Sequence, residues 1–221
     1  MNLNKSLEYF DPNNIDAPIH IVGIGAVGST IVENLTRLGI KSMHIYDFDV
    51  VSEHNVANQM FLPSQVGMTK LDAIEQIAKS INPDVKLIKH PGGWTDKSTL
   101  EGYVFICRDS IVVRQQIVKK NKFNPNIIAM FDTRMRLTDA QHYACEWNKD
   151  AIDVFYKTMN FTQEEADANT PVSACGTTLN VFYIVRMIVA LEIANFVKFV
   201  KTGQLNKMIV ADAETFIIDA V

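Results

Sequence analysis

Hydrophobic positions recur along this chain in two periods, and their alternation predicts an α/β fold. Residues 18–24, 42–47, 85–88, 102–107 and 126–131 are short runs rich in Ile, Val and Phe, as in strands covered on both faces. After the first run, Ile31-Val-Glu-Asn-Leu-Thr-Arg-Leu38 places its apolar side chains at helical spacing, within a helix expected over 28–39. A second helix is predicted from a Thr69 cap to Ile81. There Leu71, Ile74, Ile77, Ala78 and Ile81 share one face, and Asn82-Pro83 ends it. A third runs from a cap at Asp109 or Ser110 to about Lys120. Strands and helices in this order build a mostly parallel, doubly wound sheet.

Beyond residue 132 the pattern changes. Residues 135–147 alternate as an antiparallel strand does, and a polar loop is predicted over 148–171. A turn at Ser173-Ala-Cys-Gly176 leads into a long helix over 176–201. A closing hairpin of 207–210 and 215–218 then surrounds Asp212-Ala-Glu214. Residues 1–17 are polar, with a turn at Pro12-Asn-Asn14. The expectation is one domain over 1–221, with an N-terminal arm (1–17) and a Rossmann-like core (18–132). Antiparallel strands and the long helix (133–221) would extend one edge of the sheet.

Composition narrows the function classes. Hydrophobic residues make up 48% of the chain, enough for a sizeable core, and the net charge of −4 gives no sign of a nucleic-acid surface. Lys119, Lys120 and Lys122 read as a solvated helix end. The first fifteen residues lack the apolar stretch of a secretory leader. Residues 181–200 invite comparison with a membrane span, but Arg186, Glu192 and Lys198 lie inside them, so a buried helix and no membrane partner are expected. Cys107, Cys145 and Cys175 are far apart and odd in number. That suits a reducing cytoplasm and offers no Cys-x-x-Cys pair for zinc.

The candidate chemistry starts where the first strand runs into Gly23-Ile-Gly-Ala-Val-Gly28 and a helix. Glycines let the backbone approach a phosphate, and the helix start offers free N–H donors at the positive end of its dipole. Asp47 ends the second strand nineteen residues past Gly28, at the distance expected for a carboxylate that accepts from ribose hydroxyls. Asp49 is its rival for that role. In a doubly wound sheet the site lies beyond the strand C-termini, which here means residues 23–29, Asp47, 107–110 and 132–136.

Four further features lie in that region or feed it: Asp47-Phe-Asp-Val-Val-Ser-Glu-His-Asn55, Asn58-Gln59, Val66-Gly-Met-Thr-Lys70 and Cys107-Arg-Asp-Ser110. With the glycine turn, they resemble the ThiF/MoeB/HesA family of ATP-dependent adenylyltransferases, related to the ubiquitin-activating enzymes. That family reads G-x-G-x-x-G, D-x-D-x-V, N-x-x-R-Q, V-G-x-x-K and a strand-end T-D-N. The resemblance is specific over 18–120 and looser from 126 to 220, and points to a reduced member of the bacterial or mobile-element type.

It implies ATP and Mg²⁺ as cofactors, with Gly23, Gly25, Ala26, Val27 and Gly28 passing near the phosphates. Asp47 would hold the ribose, Asn55 and Lys70 the phosphate chain, and Asp109 the metal. The loop residues Asn58 and Gln59 belong to the same nucleotide set. It also implies a homodimer and, as partner, a ubiquitin-like or sulfur-carrier-like small protein or peptide. Some relatives carry a reactive cysteine near the position of Cys175, at a helix start where the dipole lowers a thiol pKa. Cys107 reads as core, and Cys145 lacks the partner cysteines of zinc-bearing relatives.

Two departures bear on turnover. The family arginine of N-x-x-R-Q is Asn58 here, and no arginine precedes Arg37. Arg108, in place of the threonine of T-D-N, is a candidate replacement, as are Arg134 and Arg136. Three functions therefore compete: adenylyltransferase, nucleotide-binding scaffold without turnover, and NAD-binding oxidoreductase.

Overall fold

The computed structural model describes residues 1–168, 170–172 and 179–221. Its core is a mixed eight-stranded sheet in the order β3-β2-β1-β4-β5-β6-β7-β8. The strands are β1 (Ile19–Val22), β2 (Ser42–Tyr46), β3 (Lys86–His90), β4 (Gly102–Ile106), β5 (Ile127–Met135), β6 (Asp139–Glu146), β7 (Met208–Asp212) and β8 (Ile217–Ala220). β1 to β5 pair in parallel, and β5 to β8 run antiparallel as a meander on one edge, as the sequence pattern predicts.

The helices are α1 (Ala26–Arg37), α2 (Lys70–Ile81), α3 (Ile111–Asn121), α4 (Lys149–Lys157), α5 (Gln163–Ala168) and α6 (Phe182–Thr202). α1, α2 and α6 cover the sheet face formed by Ile21, Ile45, Phe105 and Phe131, contributing Ile31, Ile74 and Ile188 to one buried cluster. α3 and α4 cover the opposite face, where Ile117 and Ile152 meet Val104, Ile106 and Met130. The parallel strands are thus buried on both sides, which is why they read as unbroken apolar runs.

Several expected boundaries shift. α1 begins at Ala26, two residues before the expected start, because Gly25 occupies the cap position. Met135 belongs to β5 rather than to the alternating strand, which starts at Asp139. The expected polar loop over 148–171 contains two helices. Asn148 caps α4 through Ala151 N, and Ile152 and Phe155 at helical spacing bury its one apolar stripe. The long helix starts at Phe182, and the predicted start at Gly176 lies outside the described residues. α6 ends at Gly203, whose φ of 69° suits a left-handed C-cap. Among the described residues no helix is long and apolar enough to cross a membrane.

On the α3/α4 face of β1–β3, where those helices leave room, the rings of His20, His44, Tyr46 and His90 form a stacked row. His20–His44 centroids are 4.5 Å apart, and Tyr46–His90 centroids 4.0 Å. His20 Nδ1 meets the Tyr46 hydroxyl at 2.9 Å, and burial with two neighbouring imidazoles lowers its pKa to about 3. Burial does the same to His142 under α6. Both are neutral when folded and protonate near 6.5 when unfolded, so their contribution is complete above pH 6.5 and is lost as pH falls towards 3. The expected result is a melting temperature that drops steeply between pH 6.5 and 4, with a flatter profile for His20→Phe. An unchanged slope in that variant would show that other groups control acid unfolding.

Candidate functional site

The order β3-β2-β1-β4 reverses direction between β1 and β4, so the crevice opens where Val22 and Ile106 end their strands. Sterics explain two of the glycines at its floor. Gly23 has φ of 99°, and a Cβ there would stand 2.7 Å from the carbonyl oxygen of Cys107. A Cβ on Gly28 would overlap the carbonyl oxygen of Gly23, so α1 can press onto β1 only without a side chain. Gly25 differs, because a Cβ there would meet nothing within 4 Å. No side chain caps α1, so the N–H groups of Ala26, Val27 and Gly28 have no helical partner and remain available to a ligand.

Asp47 fastens this turn to β2. Its Oδ2 accepts from Ile24 N at 2.6 Å and its Oδ1 from Asp49 N at 2.8 Å, and the residue is 2% exposed. Its rival Asp49 pairs instead with Lys70, Nζ to Oδ2 at 2.9 Å. Lys70 opens α2 behind a Thr69 cap, its side chain only 9% exposed. The loop between them turns at Asn55, whose Oδ1 accepts from Ser52 N and Oγ, leaving its NH₂ group to donate elsewhere. Met60 N donates to Ser29 Oγ at 3.2 Å, which holds this loop against the first turn of α1. Within it the buried oxygens Asn58 Oδ1 and Gln59 Oε1 have no hydrogen-bond partner among the described residues. Orphaned polar atoms of this kind are rare in a finished interior and fit a site completed by a ligand.

At the β4 tip the two candidate caps separate. Ser110 caps α3 through Val113 N, while the Asp109 carboxylate, among the described residues, accepts only Ser110 N at 3.0 Å and stays exposed. Cys107 is core, its thiol pKa pushed well up by burial. Arg108 reaches across the turn, with its Cδ 3.0 Å from the Cβ position of Gly23 and its guanidinium 5.0 Å from the centre of the Phe48 ring. The sequence reading missed Phe48, although an aromatic between two strand-end aspartates is a usable signal.

The other candidate arginines are committed elsewhere. Arg134 donates to Asp132 and to the carbonyl and hydroxyl of Thr158, and stacks on Tyr143 at 4.3 Å. Arg136 faces Asp139 at 3.8 Å in the β5–β6 turn. Arg114, also missed, pairs with Asp132 and Thr133 O deep under the crevice. Its position was legible, since Ile111, Arg114, Ile117 and Val118 share the buried face of α3.

Next to this pair runs a directed chain. Asn195 Nδ2 donates to His142 Nε2, so neutral His142 donates through Nδ1 to Thr133 Oγ1, and Thr133 donates to Glu192 Oε2 at 3.0 Å. Burial pushes the Glu192 carboxyl up to about 8, so it carries a proton at neutral pH and its 3.6 Å approach to His142 is not an ion pair. Cys175 lies outside the described residues, and among those described no group of three or more His, Cys, Asp or Glu could hold a metal by itself.

Comparison with known proteins shows the family and the fold. The ThiF family profile matches residues 15–218. Ubiquitin-like modifier-activating enzyme 5 of Oryza sativa subsp. japonica is 53% identical over 72 residues, 33% of this chain and 17% of that protein. The enzyme of the same name from Rattus norvegicus is 44% identical over 72 residues, 33% of this chain and 18% of that one. The matched region therefore spans less than a fifth of either relative. Among solved structures, E. coli MccB with ATP superposes with a TM-score of 0.70 at 17% identity, covering 95% of this chain and 65% of that one. The E. coli tRNA N6-threonylcarbamoyladenosine dehydratase TcdA gives 0.65 at 16% identity, over 91% of this chain and 94% of that one.

Proposed function

We propose, since the chain belongs to the ThiF family, that it is an ATP-dependent adenylyltransferase. Its acceptor would be the C-terminal carboxylate of a ubiquitin-like protein or a peptide. The observation that carries this reading is the convergence of an uncapped helix start, Lys70 and Asp109 around one crevice with orphaned polar atoms in its flanking loop. Relatives named as ubiquitin-like modifier-activating enzymes, and the MccB structure holding ATP, support it.

In the reaction an acceptor carboxylate oxygen bonds to the α-phosphorus. The bond from that phosphorus to the bridging oxygen breaks, and pyrophosphate leaves with the electron pair, giving an acyl-adenylate. The N–H groups of Ala26, Val27 and Gly28 meet a phosphate where Gly25 leaves room. Asp47, with lone pairs beyond its two backbone bonds, accepts from a ribose hydroxyl. The Asn55 amide and the Lys70 ammonium hold the phosphate chain in line for departure, and the free oxygens of Asn58 and Gln59 accept from the ligand.

Asp109 would hold Mg²⁺, which takes one or two protein carboxylates and completes its shell with phosphates and water, so a single exposed carboxylate fits. When bound, that ion neutralises charge on the phosphates. A thioester at Cys175 would follow adenylation, as the family resemblance suggests: its sulfur would bond to the acyl carbon, and AMP would leave with the electron pair of the broken bond. The exposed aromatic side chains of Phe182 and Tyr183 on α6 support the homodimer that the reading includes.

Thermal shift with ATP, AMP, NAD and NADP, with and without Mg²⁺, tests the reading. ATP with Mg²⁺ stabilises the protein, by about 2.7 kcal/mol at a hundredfold its Kd, and NAD does not. Equal or greater stabilisation by NAD would overturn it. ATP binding without pyrophosphate exchange for any acceptor would favour a scaffold.

A further inference from the structure

We propose that Arg108 is the phosphate-binding arginine of this site, held ready on the ring of Phe48. The proposal rests on the nucleotide reading above and deepens it. Arg108 starts at the β4 tip, crosses Gly23 at the end of β1 and ends over an aromatic ring at the end of β2. It therefore bridges the strand tips on either side of the crevice, and its stem passes Gly23, whose carbonyl oxygen lies against Gly28 in the first turn of α1.

The other cations of the region are engaged. Lys70 is paired with Asp49, Arg114 and Arg134 with Asp132, and Arg186 donates to the sulfur of Met60. Arg108 forms no ion pair or side-chain hydrogen bond among the described residues. Among the described residues its guanidinium rests on Phe48, which is 61% exposed and lies against Gly93 just past β3.

An aromatic face holds a guanidinium weakly and satisfies none of its five donors. A carboxylate partner would have to be displaced before an anion could bind, whereas the Phe48 ring needs only to be slid past. The ring thus keeps the arginine extended over the crevice without neutralising it. A guanidinium fork matches two phosphate oxygens at once, which an ammonium cannot do. Position 58, in the facing loop, is Asn, so the crevice draws its guanidinium from the β4 tip instead.

Calorimetry with ATP–Mg²⁺ and with AMP separates this role from a structural one. Arg108→Ala is expected to weaken ATP at least tenfold and AMP by less than threefold, because AMP lacks the β- and γ-phosphates. Arg108→Lys recovers only part of the loss. Asn58→Arg added to Arg108→Ala restores ATP affinity by supplying a guanidinium from the opposite side. ATP affinity within twofold of the unsubstituted protein in Arg108→Ala, or equal losses for ATP and AMP, overturns the assignment alone. Failure of the unsubstituted protein to bind ATP overturns the nucleotide reading and this assignment together.

Discussion

Lys70→Ala is expected to lower ATP–pyrophosphate exchange by at least two orders of magnitude, about 2.7 kcal/mol of transition-state stabilisation. The reason lies in how few cations the crevice can use. Arg114 and Arg134 are committed to buried Asp132 and position 58 is Asn, so charge on the phosphates would fall to Arg108 and to Lys70, whose half-exposed partner Asp49 can turn to water. The Lys70 ammonium sits at the first turn of α2, mostly shielded from water, where a charge acts more strongly than on an open surface. Its partner Asp49 is 43% exposed, so removing the lysine leaves a carboxylate that water can solvate. The fold is therefore expected to survive with a small change in melting temperature, and the loss appears in turnover. Exchange that proceeds at the original rate in Lys70→Ala would defeat the mechanism.

Asp47→Ala is expected to abolish nucleotide binding and also to cost stability, whereas Asp49→Ala is expected to have the milder effect on binding. Asp47 is buried, and one of its oxygens accepts the Ile24 N–H of the glycine turn. Truncation would remove the proposed ribose acceptor and strand that buried donor, for which about 1–3 kcal/mol is the usual cost. Asp47→Asn keeps one acceptor oxygen and should recover part of the stability but little of the binding. Asp49→Ala leaves the two backbone bonds of Asp47 in place, so its effect on nucleotide binding is expected to be milder, although it takes the partner from the mostly buried Lys70 ammonium. Calorimetry and chemical denaturation of the three variants check this. A larger binding loss for Asp49→Ala would reassign the ribose contact.

Much of the fold was legible because parallel strands and their helices carry strong local periods. β1 to β5, α1 to α3 and the antiparallel edge all appear where the apolar pattern puts them, within a few residues. α4 and α5 were not legible as helices. α4 buries only Ile152 and Phe155 and α5 buries nothing, so polar residues dominate the stretch and mask its helical spacing. Glu192 read as one charge interrupting an apolar helix, yet it is fully buried. Its neighbours Thr133 and His142 come from β5 and β6, far from α6 in the chain.

Order along the chain was enough to locate the glycine turn, Asp47, Lys70 and Asp109, because each sits at the start or end of an element whose type its neighbours dictate. Sequence alone thus determined the sheet, the end at which its crevice opens and the residue types that reach it. Tertiary structure decided which of those groups are available. Asp47 spends two bonds on backbone, Arg134 is drawn into a buried network, and Arg108 is left resting on Phe48. Competition among charges for partners depends on distance and burial in three dimensions, and neither is encoded in local periodicity.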